Sequence, residues 1–449
     1  MNPPSEQPKP TSRLKQNLLI AGGVALCAIF AYFLWPRAAV APGRISALLQ
    51  NSTRAQNDAA ANVPSAHIPP TLRAGESDWE KLRAKIVALM NGKKVEVCGL
   101  SDLDAALFLA EQVEHDGVTL IPSQMGKDAA NAVLAEASAK LTQSISPHEQ
   151  SLGLYVLAHQ AETAAIEEGV NARNCKGDAR CRRDAWQPQP QVRAAVAEPL
   201  VKIALAGRDP AIYATAMYAC SSAPTGACAA ISYAGWAKIE PDNAAVWLMM
   251  ANEAALRKDL AARDEAMRRA ATASEYDARI PSLATLFESE PVKAQPPLMR
   301  WLVGVSLATV SASAWPPPYV ALSSYCLRSE TADPARATVC DKLANKLLEK
   351  DQGFVGRRLA SQIGEKFGWD AARTQRLRDE YAVEFALAFD VGLTGNAYRC
   401  ENLAKEMQWG QKVLSKGERA IALERIAASG KTVAVLAAEL RQTRPELFK

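Results

Sequence analysis

The sequence predicts an all-α fold: stacked helical hairpins behind one N-terminal transmembrane helix, braced by disulfides. Three observations carry that prediction. Hydrophobic residues make up 49% of the 449 residues and aromatics only 6%. Most are therefore Ala, Leu and Val, which favour close-packed helices over sheets, where β-branched and aromatic residues collect. Apolar positions recur at helical spacing along most of the chain, without sustained period-two alternation. Finally, one long apolar run near the N-terminus precedes eight of the nine cysteines.

That run, residues 18–35, holds neither charge nor proline. At about 1.5 Å of rise per residue it reaches about 27 Å, enough for the hydrocarbon core of a bilayer. Lys9, Arg13 and Lys15 precede it, and Tyr32, Phe33 and Trp35 suit its far interface. Residues 1–16 then read as a cytoplasmic tail, and everything past the run as translocated. The alternative is a cleaved signal peptide. Ala39-Val40-Ala41 has the small-x-small form of a cleavage site, but Pro42 follows it and a signal's apolar core is shorter. Residues 37–76, rich in Ala, Asn, Ser and Pro, read as a linker.

Cys27 lies within the apolar run. The others, Cys98, Cys175, Cys181, Cys220, Cys228, Cys326, Cys340 and Cys400, would meet an oxidising compartment, where an even count suggests a disulfide framework. Local spacing proposes Cys175–Cys181, Cys220–Cys228 and Cys326–Cys340, leaving Cys98 to meet Cys400. Buried free thiols are the alternative. No C-x-x-C or Cys/His cluster occurs, so no metal is expected.

Residues 77–449 form the predicted helical region, with a sub-boundary near 170–190. Ser77 and Glu80 make a capping box for a helix that ends at Asn91-Gly92. Residues 95–97 suit a short extended piece. Ser101 caps a second predicted helix, with Leu103, Ala106, Leu107, Ala110 and Val113 inward and Gly117 as its stop. A third covers about 126–143. Ser146-Pro147-His148-Glu149 starts a long helix to Gly169, combining a cap, a first-turn proline and a box glutamate. Helices resume at 191–206 and after Asp209-Pro210. Residues 244–257 and 260–273, joined at Lys258-Asp259, form an αα-hairpin opened by Glu240-Pro241-Asp242-Asn243. Helical spacing continues over 277–289, 298–311, 334–350, 353–367 and 370–389, then over 401–410, 417–429 and 431–441. Trp315-Pro316-Pro317-Pro318-Tyr319 predicts a stiff polyproline break.

Trp247, Ala251, Ala254, Met267 and Ala270 fall at the packing positions of a tetratricopeptide-type hairpin, which residues 236–273 resemble. Pro241 stands where a preceding repeat would close. The match is partial: Ala254 occupies an aromatic position, Arg263 a packing-alanine position and Glu275 that of the closing proline. No second copy recurs at the family's period of about 34 residues. The resemblance implies stacked neighbours that cover the hairpin's apolar face, and it transfers no binding residue.

Chemistry is sparse. Sequence signs of nucleotide enzymes, serine hydrolases and zinc proteases are missing. Of the four histidines, His67 falls in the linker, His115 near a helix end and His148 in a capped first turn. His159, three residues before Glu162, could share a proton or a metal, although a surface or groove pair is the plainer reading. Asp102 and Asp104 resemble a nucleotide-sugar motif but suit a helix N-terminus. Glu288 and Glu290 could act as paired carboxylates. Trp236 and Trp247 read as hairpin core. Trp186, Trp315, Tyr319 and Trp409 are the exposed-ring candidates, with Trp186, Trp315 and Tyr319 the expected partner contacts; lids over the ends of the stack are the alternative for Trp186 and Trp315. Net charge of +4 is too small and scattered to predict nucleic-acid binding.

Together these features lead us to expect a bacterial inner-membrane protein with its bulk in the periplasm, non-catalytic and without cofactor. Its partner would be an envelope protein or peptide. The alternatives are an enzyme, or accessory subunit, acting on cell-wall glycan, and a purely structural spacer.

Overall fold

The structure, a computed structural model, describes residues 109–114, 117–173, 181, 184, 189–220, 225–313, 318–328, 333–351, 353–389 and 400–448. The expected membrane helix, the linker, the helix at Ser77, the piece at 95–97 and Asp102 and Asp104 lie outside them. Among the described residues no helix is long and apolar enough to cross a membrane. Those residues form seventeen α-helices, two short 3₁₀ turns and one two-stranded hairpin.

The hairpin corrects the second predicted helix. Strand β1 (Leu109–Glu114) pairs antiparallel with β2 (Gly117–Pro122), Leu109 opposite Pro122 and Glu114 opposite Gly117. Ala110 and Val113 satisfy helical spacing, but Gly117 opens a strand instead of stopping a helix. The β-branched Val118, Thr119 and Ile121 favour that outcome.

Helix α1 (Gln124–Thr142) follows, with Ser123 Oγ accepting from Gly126 N–H at 3.0 Å. Helix α2 (Pro147–Ala172) starts at the expected Ser146 cap, while Glu149 takes the Ser144 hydroxyl rather than closing the box. Next come α3 (Pro190–Gly207) and α4 (Pro210–Ala219), the latter capped by the Asp209 carboxylate on Ala211 and Ile212 N–H.

After α5 (Tyr233–Ile239), helices α6 (Ala244–Leu256) and α7 (Leu260–Thr272) form the expected αα-hairpin. Asn243 closes its base. Its Oδ1 accepts from Ala245 and Asp277 N–H, and its Nδ2 donates to the Asp277 carbonyl at 2.7 Å. Trp236, Leu248, Met267 and Ala270 are fully buried there, and Trp247 nearly so. Arg263 packs its guanidinium 5.2 Å from the Tyr325 ring centre.

Residues 277–289 do not make the single helix their spacing predicts. Pro281 bars Ile280 from helical geometry, and Arg279 is left-handed at φ 52°, held by the Asp277 carboxylate. Only α8 (Ala284–Phe287) forms, followed by α9 (Glu290–Lys293). Helix α10 (Pro297–Ser313) then packs back on α1, and the Tyr155 hydroxyl of α2 donates to its Val310 carbonyl at 3.2 Å.

Helix α11 (Pro318–Cys326) went unpredicted: Pro318 begins a helix rather than extending the polyproline break. It is followed by α12 (Pro334–Lys350), α13 (Phe354–Lys366), α14 (Ala371–Ala388), α15 (Cys400–Lys416), α16 (Glu418–Ser429) and α17 (Val433–Thr443). Helix α13 turns into α14 over Gly364, where a Cβ would overlap the Trp369 ring.

Cys220 is bonded to Cys228 and Cys326 to Cys340, with Cα atoms 5.4 and 5.7 Å apart. Cys181 is also in a disulfide. One hydrophobic cluster runs from Ala130 to Leu403. Two smaller ones, around Phe354 and Ala422 and around Leu436 and Ala437, hold the C-terminal helices.

Candidate functional site

Where α7 lies beside α12, the two helices leave an open groove of about 410 Å³. Ala271 and Val339 supply its apolar lining, and Thr272 and Thr338 its hydroxyls. Its charged lining is Arg268, Arg269 and Lys342 against a single carboxylate, Glu265. Glu265 holds both arginines, accepting from Arg269 Nε at 2.8 Å and ion-paired with Arg268 at 2.7 Å, which pulls its pKa down. The Arg269 guanidinium also lies 4.8 Å from the Trp247 ring centre, so it is fixed on two sides.

Helix α12 sets Lys342, Lys346 and Lys350 at successive four-residue steps, one above another on the same side. Lys346 donates to the carbonyls of Ala270 and Ala273 at the end of α7, and burial lowers its pKa. Lys350 meets Glu275 at 3.3 Å. Lys342 has no ion-pair partner among the described residues. Sequence reading missed this groove, because its halves lie on helices that are distant in the chain. The one signal was the lysine spacing on α12.

The expected polar pair lies elsewhere, and it is not on the surface. His159 and Glu162 of α2 are both buried, at 8% and 6% exposure. Arg193 of α3 reaches the Glu162 carboxylate at 2.7 Å and the Tyr218 carbonyl at 2.9 Å. Burial, then the Arg193 charge, drives the His159 pKa down to about 3, so the imidazole is neutral. Chemically this is a core ion pair beside a neutral ring.

Tyr319 also turns inward: its hydroxyl donates to Asp351 Oδ2 at 2.6 Å, and burial pushes its pKa well up. Asp351 Oδ1 accepts from Gly353 N–H at 2.8 Å, at the start of α13. Glu418, first residue of α16, accepts from the Phe354 backbone there. Burial raises Asp351 to about 6 and Glu418 to about 7. Beside them Arg357 meets Glu384 at 3.2 Å and Glu380 at 3.4 Å.

Glu288 and Glu290 are not brought together: the first binds Lys293 at 2.7 Å, the second Lys140 at 2.9 Å. Trp409 is half-buried, donating to the Ala388 carbonyl at 2.6 Å. His148 lies 3.2 Å from Asp209. Cys98, Cys175, His67, His115, Trp186, Trp315 and the Cys400 side chain lie outside the described residues. Among those that are described, no group of three or more His, Cys, Asp or Glu side chains could hold a metal ion. No family model, curated protein or solved structure matches the chain.

Proposed function

We propose that this chain is a membrane-anchored scaffold of the bacterial envelope, whose helical region in the periplasm binds another protein or peptide and catalyses nothing. The observation that carries the reading is the α7–α12 groove, an open surface between helices lined by two arginines, a lysine and apolar side chains. Extended contact along helices is how stacked hairpins recognise partners, and the tetratricopeptide resemblance of residues 236–273 agrees with that use. The N-terminal apolar run and the disulfides support placement in the envelope. No observation favours the glycan-enzyme reading. Its candidate groups, Glu162, Glu288 and Glu290, are each engaged by a cation.

The test is site-specific photocrosslinking in intact cells, using the full chain with a photoreactive residue at Thr338 in the groove or at Lys202 on α3. A discrete protein adduct from position 338 and none from 202 is the expected result. Equal adducts at both positions, or none at 338, would overturn the binding reading.

A further inference from the structure

We infer that the α7–α12 groove takes an acidic protein segment, its carboxylates seated against Lys342, Arg268 and Arg269. The inference rests on the binding reading above and gives that reading its partner chemistry. Three features of the site lead to it.

First, one cation of α12, Lys342, lacks an ion-pair partner among the described residues, although Asp341 and Glu349 stand on the same helix. Lys342, Lys346 and Lys350 repel one another at four-residue spacing, and among the described residues only the latter two have acceptors. An arriving carboxylate relieves the repulsion at Lys342. Second, the negative end of the α7 dipole, which would oppose an anion, is answered in place. Lys346 occupies the Ala270 and Ala273 carbonyls, leaving the guanidinium groups of Arg268 and Arg269 to define the field of the groove. Third, the Arg269 guanidinium is positioned before any ligand arrives, by Glu265 on one side and Trp247 on the other, and Arg268 shares the Glu265 carboxylate. Little side-chain freedom is then lost on binding.

The lining also selects the class of anion. Ala271 and Val339 give an apolar strip beside the Thr272 and Thr338 hydroxyls, which matches a peptide's alternation of apolar and polar groups. For a phosphodiester chain, a net charge of +4 over the whole chain supplies no broad basic field.

Fluorescence anisotropy of the full-length protein in detergent tests this with a labelled hexaglutamate peptide, a hexalysine peptide and a poly-dT oligonucleotide of equal charge. We expect hexaglutamate to bind, weakening as salt rises. The double reversal Arg268→Glu/Lys342→Glu should lower its affinity at least about tenfold. Arg257→Glu at the hairpin tip should leave it unchanged. All three residues are exposed, and circular dichroism confirms that the variants fold; Thr338→Glu gives the same loss without removing a cation. Equal binding of hexalysine, equal binding of the oligonucleotide, or indifference to the groove reversals overturns the inference. If photocrosslinks at position 338 persist while hexaglutamate fails, the binding reading stands and the acidic partner falls.

Discussion

At Arg193 a guanidinium enters the core between the Glu162 carboxylate at 2.7 Å and the Tyr218 carbonyl at 2.9 Å. Both members of the ion pair expose less than a tenth of their side chains, 7% and 8%, so water screens little of the interaction. Such a pair adds little over a well-packed apolar substitute, but losing one partner strands the other charge. Arg193→Met should therefore destabilise the fold by about 3–5 kcal/mol. Adding Glu162→Gln should restore more than half of that loss. Urea unfolding of the single and double variants at pH 7 makes the comparison, and equal losses in both would show that the pair is not what Arg193 supplies. Nothing local marks Arg193 for this role: it lies on another helix, 31 residues from Glu162.

Helix α13 begins without a side-chain cap of its own, because its N-cap residue is Gly353. Its first amides are answered by Asp351, at the end of α12, and by Glu418, at the start of α16. The helix dipole favours both charges, yet burial outweighs it and their pKa values rise to about 6 and about 7. The sign follows from Glu418. Its folded pKa is above the unfolded 4.5, so the folded state binds its proton more tightly than the unfolded state does. Stability from this group is greatest below about pH 4.5 and declines as pH rises through about 7. Glu418→Gln keeps an acceptor for the Phe354 amide and removes the titration. The variant should therefore gain in Tm relative to wild type between pH 5 and pH 8, as thermal melts would show; a constant difference across that range would refute the assignment. Helix starts such as Ser146, Asp209 and Asn243 were legible in the sequence because a cap needs only the next two or three amides. The α13 start was legible from the helical spacing over 353–367, but its cap was not, since the acceptors come from two other helices. Residues 109–122 misled for a different reason. A short amphipathic run fits both periods, and a glycine can stop a helix or open a strand.

Across the whole molecule, helices neighbouring in sequence pair as a hairpin stack would, α1 with α2, α6 with α7, α12 with α13. Helix α10 breaks that order by returning to α1 and holding α15 on its other side. The α6–α7 hairpin was legible from its turn and cap residues. The closure was not, because no local pattern in 297–313 says which distant helix it meets. Closure changes how the fold should open. In an open stack each unit touches only its neighbours, and ends fray independently. Here one hydrophobic cluster joins residues from Ala130 to Leu403, so α1 through α13 share a single core across the α10 contact. The C-terminal helices depend on less. Helix α17 rests on α14 through the small cluster of Val383, Leu436 and Ala437, and its Val435 side is exposed. Local opening free energy follows the apolar contact that must be broken. Amides of α17 should thus exchange with solvent deuterium through a smaller opening, at least about tenfold less protected than those of α6. Those of α1 and α10 should be lost together in one slower event. Native-state hydrogen exchange in graded urea reads both, and α10 releasing its amides before α1 would mean that the return of α10 does not bind the two ends into one unit.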